Sequence, residues 1–308
     1  MTINKDILDC TDKKWVVCTD CDLDGAGSYL VFSWLTNTKV EYVTTSVVKF
    51  KQEYQKWLSK NNPKDYDKIW FFDLDVSYDK EAQQMVDMGN SVIIDHHETH
   101  VRNKHLYNHA TTFIKVETSC AKLIYDILKS SGKLTDTQKL LLLMVDDYDS
   151  YKLKVPNSYN LNVVFWNYQG DRIGKFVNDF DKGYSGFNSY HKNIIHLNNK
   201  KIHRLKSELE VYTAQLPIGD NTYTFVSAFA DSCINEIADY ILDEYKGDVG
   251  MVVNLHTKKV SFRKNKDVKI NLADLAIRVS DGGGHEYAAG GTINDKFMDF
   301  SKLFKPIK

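Results

Sequence analysis

The sequence lacks an excess of charge of either sign: its 308 residues carry 40 lysines and arginines against 41 aspartates and glutamates, for a net charge of −1. That balance excludes a globally basic nucleic-acid binder, so any nucleic-acid site has to be a local patch. The sequence also lacks any apolar run approaching the roughly 20 residues that span a bilayer, and its opening Met1-Thr2-Ile3-Asn4-Lys5-Asp6 has no signal-peptide pattern. No membrane partner is expected, and a cytoplasmic location is. Five cysteines, an odd number in a long chain, argue against a disulfide framework and for reduced thiols. Cys18 and Cys21 form a single CxxC inside a carboxylate-rich loop, read as incidental rather than as a zinc or redox pair. With 43% hydrophobic and 26% charged residues the composition is otherwise that of a globular protein, and the length suggests two domains.

What is present is acid at the ends of apolar runs. Asn90-Ser91-Val92-Ile93-Ile94 is short and rich in β-branched residues, and predicts a buried strand that delivers Asp95, His96 and His97 into a crevice. Trp15-Val16-Val17-Cys18 predicts a second such strand, followed by Asp20, Asp22 and Asp24 with Gly25 and Gly27, and then a buried helix over Tyr29 to Leu35. Three aspartates at alternating positions repel one another unless a cation sits among them, and hard oxygen ligands suit Mg²⁺ or Mn²⁺. An EF-hand is excluded because the glutamate that should close a 12-residue loop is missing. Lys68-Ile69-Trp70-Phe71-Phe72 predicts a third strand ending in acid, Asp73 with Asp75 as its competitor. Strands that end side by side in a parallel sheet bring such carboxylates together.

Further along, Thr118 to Lys129 and Gln138 to Val145 predict helices, the second running into Asp146, Asp147 and Asp149. Asn157 to Asp181 is mixed and aromatic, without clear periodicity. Tyr190 to Gln215 reads as one long polar helix connecting two domains. The remainder predicts a smaller α+β unit: strands Tyr223–Ala228, Val249–Leu255 and Lys259–Arg263, helices Cys233–Tyr245 and Asn271–Val279, and a loop from Ser280 to Gly291. In that loop three consecutive glycines stand beside His285 and expose peptide N–H groups, an oxyanion or phosphate cradle. Lys258, Lys259, Arg263, Lys264, Lys266 and Lys269 form a local basic cluster.

Taken together, Asp20-Cys21-Asp22-Leu23-Asp24-Gly25, Phe72-Asp73, Asp95-His96-His97, Tyr148-Asp149, Gly283-Gly284-His285 and Ala288-Ala289-Gly290 resemble the DHH phosphoesterase superfamily. The resemblance covers nearly the whole chain, and its second half resembles the DHHA1 type found in nanoRNases, cyclic-dinucleotide phosphodiesterases and the exonuclease RecJ. It implies an α/β fold: a parallel-sheet DHH catalytic domain (1–189), a linker helix (190–215) and a smaller α+β DHHA1 substrate-binding domain (216–308). It also implies two divalent ions, usually Mn²⁺ with Mg²⁺ as the other option, in the cleft between the domains. The ligands implied are Asp20, Asp22, Asp24, Asp73, Asp95, His96 and Asp149, with Asp146 competing with Asp149. Arg263 matches the arginine that family members aim at a substrate phosphate.

The chemistry is consistent with that implication. Two cations about 3.5–4 Å apart activate water and neutralise a phosphate under in-line attack, and mixed carboxylate and imidazole ligation fits Mn²⁺. His97 is assigned hydrogen bonding to the site or help to the leaving group; Arg263, Gly283, Gly284 and His285 are assigned phosphate binding. The expected activity is hydrolysis of short single-stranded oligonucleotides to mononucleotides, since the near-neutral charge disfavours long polymers. The alternative is hydrolysis of a cyclic dinucleotide or of 3′-phosphoadenosine 5′-phosphate. A non-catalytic nucleotide binder would have no reason to keep so many mutually repelling carboxylates, and inorganic pyrophosphatase relatives carry a different second domain. Oligomeric state, a homodimer included, stays open.

Overall fold

Short runs of β-branched and aromatic residues build the sheet of the first half of the chain. The computed structural model describes residues 13–284 and 286–307, and the chain divides into two compact units at Ile195 and His196. In the first unit the strands are β1 (Trp15–Asp20), β2 (Glu41–Thr45), β3 (Lys68–Phe72), β4 (Ser91–Asp95) and β5 (Thr111–Ile114). All pair in parallel in the order β2-β1-β3-β4-β5. Helices α1 (Leu23–Thr36), α2 (Phe50–Leu58), α3 (Lys80–Val86), α4 (Glu98–Asn103), α5 (Cys120–Leu128), α6 (Asp136–Asp149), α7 (Ser158–Asn167) and α8 (Arg172–Phe180) complete it.

Both faces of this sheet are covered, as parallel sheets require. Val17, Trp70, Phe72, Val92 and Ile94 pack under α1, α5 and α6. The alternate residues Val16, Cys18, Ile69, Phe71 and Ile93 meet Phe50, Tyr54 and Trp57 of α2 and Val86 of α3. The strand order reverses direction between β1 and β3, and in open α/β sheets the crevice at the carboxyl ends of such strands is where ligands bind. Asp20, Asp73 and Asp95 stand at or just beyond those ends.

Helix α9 (Ser189–Ser207) carries the chain across the division. The second unit comprises β6 (Val211–Ile218), β7 (Asn221–Phe229), α10 (Ile234–Glu244), β8 (Val249–Asn254), β9 (Lys259–Lys264), α11 (Leu272–Ser280), β10 (Gly283–Gly284), β11 (Ala288–Thr292), α12 (Asp295–Ser301) and β12 (Lys305–Pro306). Its seven-stranded sheet runs β10-β11-β9-β8-β7-β6-β12, antiparallel except for β7 with β8. One face packs Phe225, Met251 and Phe262 against α11 and α12; the other packs Val226, Ala228 and Val252 against α10.

Four sequence expectations need correction. The helix expected from Tyr190 to Gln215 stops at Ser207, and Val211–Ile218 is a strand whose eight residues all pair with β7. Its apolar seam is shared by two elements of different period. The aperiodic stretch from Asn157 to Asp181 contains α7 and α8, hidden because aromatic and polar residues are mixed along it. The first helix begins at Leu23, six residues before Tyr29, because Asp22 caps it by accepting from the Gly25 amide. Finally, the Ser280–Gly291 segment is not an open loop: Gly283 and Gly284 form edge strand β10, paired with Gly290 and Ala289. Among the described residues no helix is long and apolar enough to cross a membrane.

Candidate metal centre

The turn between β1 and α1 is held tight by Gly25, where a Cβ would lie 2.2 Å from the Asp20 carbonyl oxygen. Only glycine permits that approach, and it places three aspartates on one short path. The Asp22 carboxylate caps α1; Asp24, fully buried in its first turn, accepts from the Ala121 amide at 3.0 Å and the Cys120 amide at 2.6 Å, at the amino end of α5. Asp73 leaves β3 with φ of 58°, the left-handed region that aspartate tolerates better than most residues. Its Oδ1 is buried with no hydrogen-bond partner among the described residues.

His96, directly after β4, converges on the same space. Its Nε2 lies 3.2 Å from Asp73 Oδ1, 3.7 Å from Asp24 Oδ2 and 3.7 Å from Asp149 Oδ2 at the end of α6. Two groups therefore offer ligand atoms within one ion's reach: Asp73 with His96 and His97, and Asp24 with His96 and Asp149. Asp20, Asp22 and Asp95 belong to neither. Asp95 is fully buried behind them, accepting from the His97 amide at 2.6 Å, with His97 Nδ1 at 3.0 Å and His100 Nδ1 at 3.3 Å.

Crowding like charges in a buried crevice disturbs every titration there. Burial, then the charges of Asp73 and Asp149, holds Asp24 well above the carboxylate range. Burial and Asp22 push Asp73 up to about 7, Asp20 up to about 7 and Asp149 up to about 6. Burial alone would depress His96, but Asp73, Asp24 and Asp149 override it and raise the imidazole to about 11. Asp95 lies on the other side of the balance: burial opposes its charge, yet His100 and His97 hold it well below the ordinary value. The same pairing raises His97 to about 9 against its own burial.

The competing carboxylates are occupied elsewhere. Asp75 accepts from the Ser77 amide at 3.0 Å and hydroxyl at 2.6 Å and from Thr99. Asp146 accepts from the Ser119 amide at 2.9 Å, and Asp147 ties down Lys154, Val155 and Ser158. Sequence reasoning missed His100, which is buried, faces Asp95 and contacts the Tyr107 hydroxyl at 2.8 Å. Its signal was present, a histidine one helical turn beyond His96 and His97. In the second unit Arg263 donates to Asn235 Oδ1 at 2.6 Å and to the Phe262 carbonyl at 2.9 Å. Gly284, at φ of 140°, could not carry a Cβ, which would come within 2.6 Å of the Ala288 carbonyl oxygen; at Gly283 the same atom would meet nothing within 4 Å. His285 lies outside the described residues.

Comparison with known proteins agrees with this architecture. The profile of the DHH family, N-terminal domain, matches residues 14–145, and that of the DHHA1 domain matches residues 222–307. No curated protein sequence matches the chain. Among solved structures, a pGpG-specific phosphodiesterase, PggH, from Vibrio cholerae is similar at 13% identity and a TM-score of 0.58, over 94% of this chain and 96% of that one. RecJ from Thermus thermophilus in complex with Mn²⁺ is similar at 12% identity and 0.57, over 97% of this chain and 52% of that one. An exopolyphosphatase-related protein from Bacteroides fragilis is similar at 17% and 0.52, over 98% and 96%. At such identities the likeness is one of fold. With both domain profiles in order, and with acid and histidine gathered where the sheet reverses direction, the chain belongs to the DHH phosphoesterase superfamily and carries a DHHA1 domain.

Proposed function

We propose that the protein is a divalent-metal-dependent phosphodiesterase that hydrolyses short single-stranded oligonucleotides to mononucleotides. The observation that carries this reading is the convergence of Asp24, Asp73 and Asp149 on His96 in a buried crevice, with Asp73 Oδ1 left without a hydrogen bond among the described residues. A cluster of carboxylates is costly to bury unless a cation neutralises it, and oxygen donors mixed with imidazole nitrogen suit Mn²⁺ better than Ca²⁺. Asp73 with His96 would hold one ion and Asp24 with Asp149 would serve a second, supplemented by Asp20 and Asp22 from the β1–α1 turn. Bound there, such ions supply Lewis acidity that activates water and screens phosphate charge.

The chain's own groups set the rest. Asp95 orients His97 through its Nδ1, leaving Nε2 of a partly exposed imidazole able to give a proton to a departing oxygen. Arg263 and the edge strand at Gly283–Gly284, with His285, would hold a substrate phosphate through charge-assisted hydrogen bonds. The test is a substrate panel with Mn²⁺: dinucleotides including pGpG (the substrate named for the Vibrio relative), longer RNA and DNA, cyclic dinucleotides and 3′-phosphoadenosine 5′-phosphate. Preference for linear dinucleotides and short oligomers supports the reading. Exclusive turnover of a cyclic dinucleotide or of the phosphoadenosine compound would replace it.

A further inference from the structure

Helix α9 carries Lys192, Lys200, Lys201, Arg204 and Lys206 over its length and not one carboxylate. In a chain whose total charge is −1 that is a concentrated imbalance. Within the second unit, Leu205 packs against the α10 side of the core and Lys206 lies over the Tyr240 ring at 4.7 Å, so that side of the helix is used in folding. His196, Asn199, Lys200, Lys201, His203 and Arg204 are all exposed. Lys51, Lys115, Lys122, Lys139, Lys296 and Lys302 each pair with a carboxylate, whereas exposed Lys258, Lys259, Lys266 and Lys269 have no ion pair among the described residues; what sets α9 apart is five cations on one helix with no acid among them. Lys200, Lys201 and Arg204 form no ion pair among the described residues.

The carboxyl end of a helix attracts cations, which accounts for Arg204 and Lys206 in the last turn. It does not account for Lys200 and Lys201, which lie further in. Lys200 and Arg204, one turn apart, are an i,i+4 like-charge pair that weakens the isolated helix. Such repulsion is relieved by an anion with regularly spaced charges, and one turn is about 6 Å, comparable to the step between successive phosphates on a single strand. We propose that the exposed face of α9 from His196 to Arg204 binds the sugar–phosphate backbone of single-stranded nucleic acid. Asn199 and the two imidazoles add hydrogen bonding to phosphate and sugar oxygens. An anionic membrane is the poorer partner, because the face from His196 to Arg204 offers one strongly exposed apolar side chain among the described residues, Leu197 at 56%, with Tyr190 at 50% two turns away.

The proposal goes beyond the catalytic reading, since it concerns binding and holds without turnover. The test uses the full chain in EDTA with a fluorescein-labelled single-stranded oligoadenylate of about twelve nucleotides, titrated by anisotropy at several salt concentrations. Lys200→Glu/Arg204→Glu should weaken binding at least about tenfold and flatten the slope of log Kd against log salt by roughly 0.7 for each cation lost. The neutral pair Lys200→Gln/Arg204→Gln, checked by circular dichroism for an unchanged melt, should give an intermediate effect. Mn²⁺-supported hydrolysis of a dinucleotide should be unchanged in both. Unaltered affinity and slope in both variants overturns the proposal, as does charge-dependent binding of phosphatidylglycerol vesicles without binding of the oligonucleotide. If the wild type binds oligoadenylate through these residues but hydrolyses no dinucleotide, the proposed catalytic function fails and this inference stands.

Discussion

The crevice at the ends of β1, β3 and β4 and the exposed face of α9 both hold more charge than their partners offset, but of opposite sign and at opposite depth. In the crevice the excess is negative and buried: Asp24 is 1% exposed and Asp73 2%, and with Asp149 they share one imidazole, His96. On α9 it is positive and in solvent. A buried excess cannot be screened by water and so demands a specific counter-ion; an exposed excess is screened by salt and suits a partner that itself carries many charges. The proposals assign chemistry to the first and loose capture to the second.

The sharpest way to break this contrast is to remove a crevice carboxylate that has no other work. Asp73→Ala should lower kcat/KM for a dinucleotide at least about a thousand-fold while the metal-free protein stays folded, since a repelling charge has been removed. Turnover near the wild-type rate would take Asp73 out of the site. The contrasting substitution lies on the helix that carries Asp149. Asp147 is buried and accepts from Lys154, Val155 and Ser158, so Asp147→Ala should cost about 2–3 kcal/mol of folding stability and leave the folded fraction active. If instead Asp147→Ala melts normally and loses metal, the division of α6 acids into structural and chemical ones is wrong.

Much of this division could be read from the sequence, and the part that could not has a physical reason. Apolar runs ending in acid located β1, β3 and β4, because a parallel sheet covered on both faces writes itself as unbroken hydrophobic stretches. Which acid at each end faces the crevice was not legible: Asp73 and Asp75 are two residues apart, and only the three-dimensional positions of Ser77 and Thr99 show that Asp75 is engaged. Two members of the basic cluster noted around β9 are likewise engaged by tertiary contacts. Arg263 is tied to Asn235, and Lys264 is buried against Glu286 and the Val268 carbonyl. The cationic face of α9 reads in the sequence as a plain connector, because a polar helix reads as solvated until its partners in three dimensions are known.

A smaller effect separates the two units. Arg263 already donates to Asn235, so its truncation removes one charge-assisted contact to phosphate and leaves the crevice intact. Arg263→Ala should raise KM for a dinucleotide about tenfold, with Mn²⁺ affinity unchanged by calorimetry. Loss of a bound ion on this substitution would move Arg263 into the metal centre.

The gentlest probe is pH, and its sign follows from the crevice alone. Asp20 and Asp73 are raised to about 7, Asp149 to about 6 and His96 to about 11, so around neutrality the folded, metal-free protein holds more protons than the unfolded chain. Where the folded state binds more protons, stability falls as pH rises. The melting temperature in EDTA should therefore decline between about pH 5 and 9. Asp95, depressed in the folded state, works in the opposite sense only below the ordinary carboxylate range and does not disturb this window. A divalent cation competes with those same protons, so Mn²⁺ affinity should rise with pH by up to about tenfold per unit for each proton released. Calorimetric titrations in two buffers of different ionisation enthalpy count the protons directly. Mn²⁺ should then restore more stability at pH 8 than at pH 6; a metal-free melt that rises over the same interval would mean that the acids of the crevice are not held together as the geometry requires.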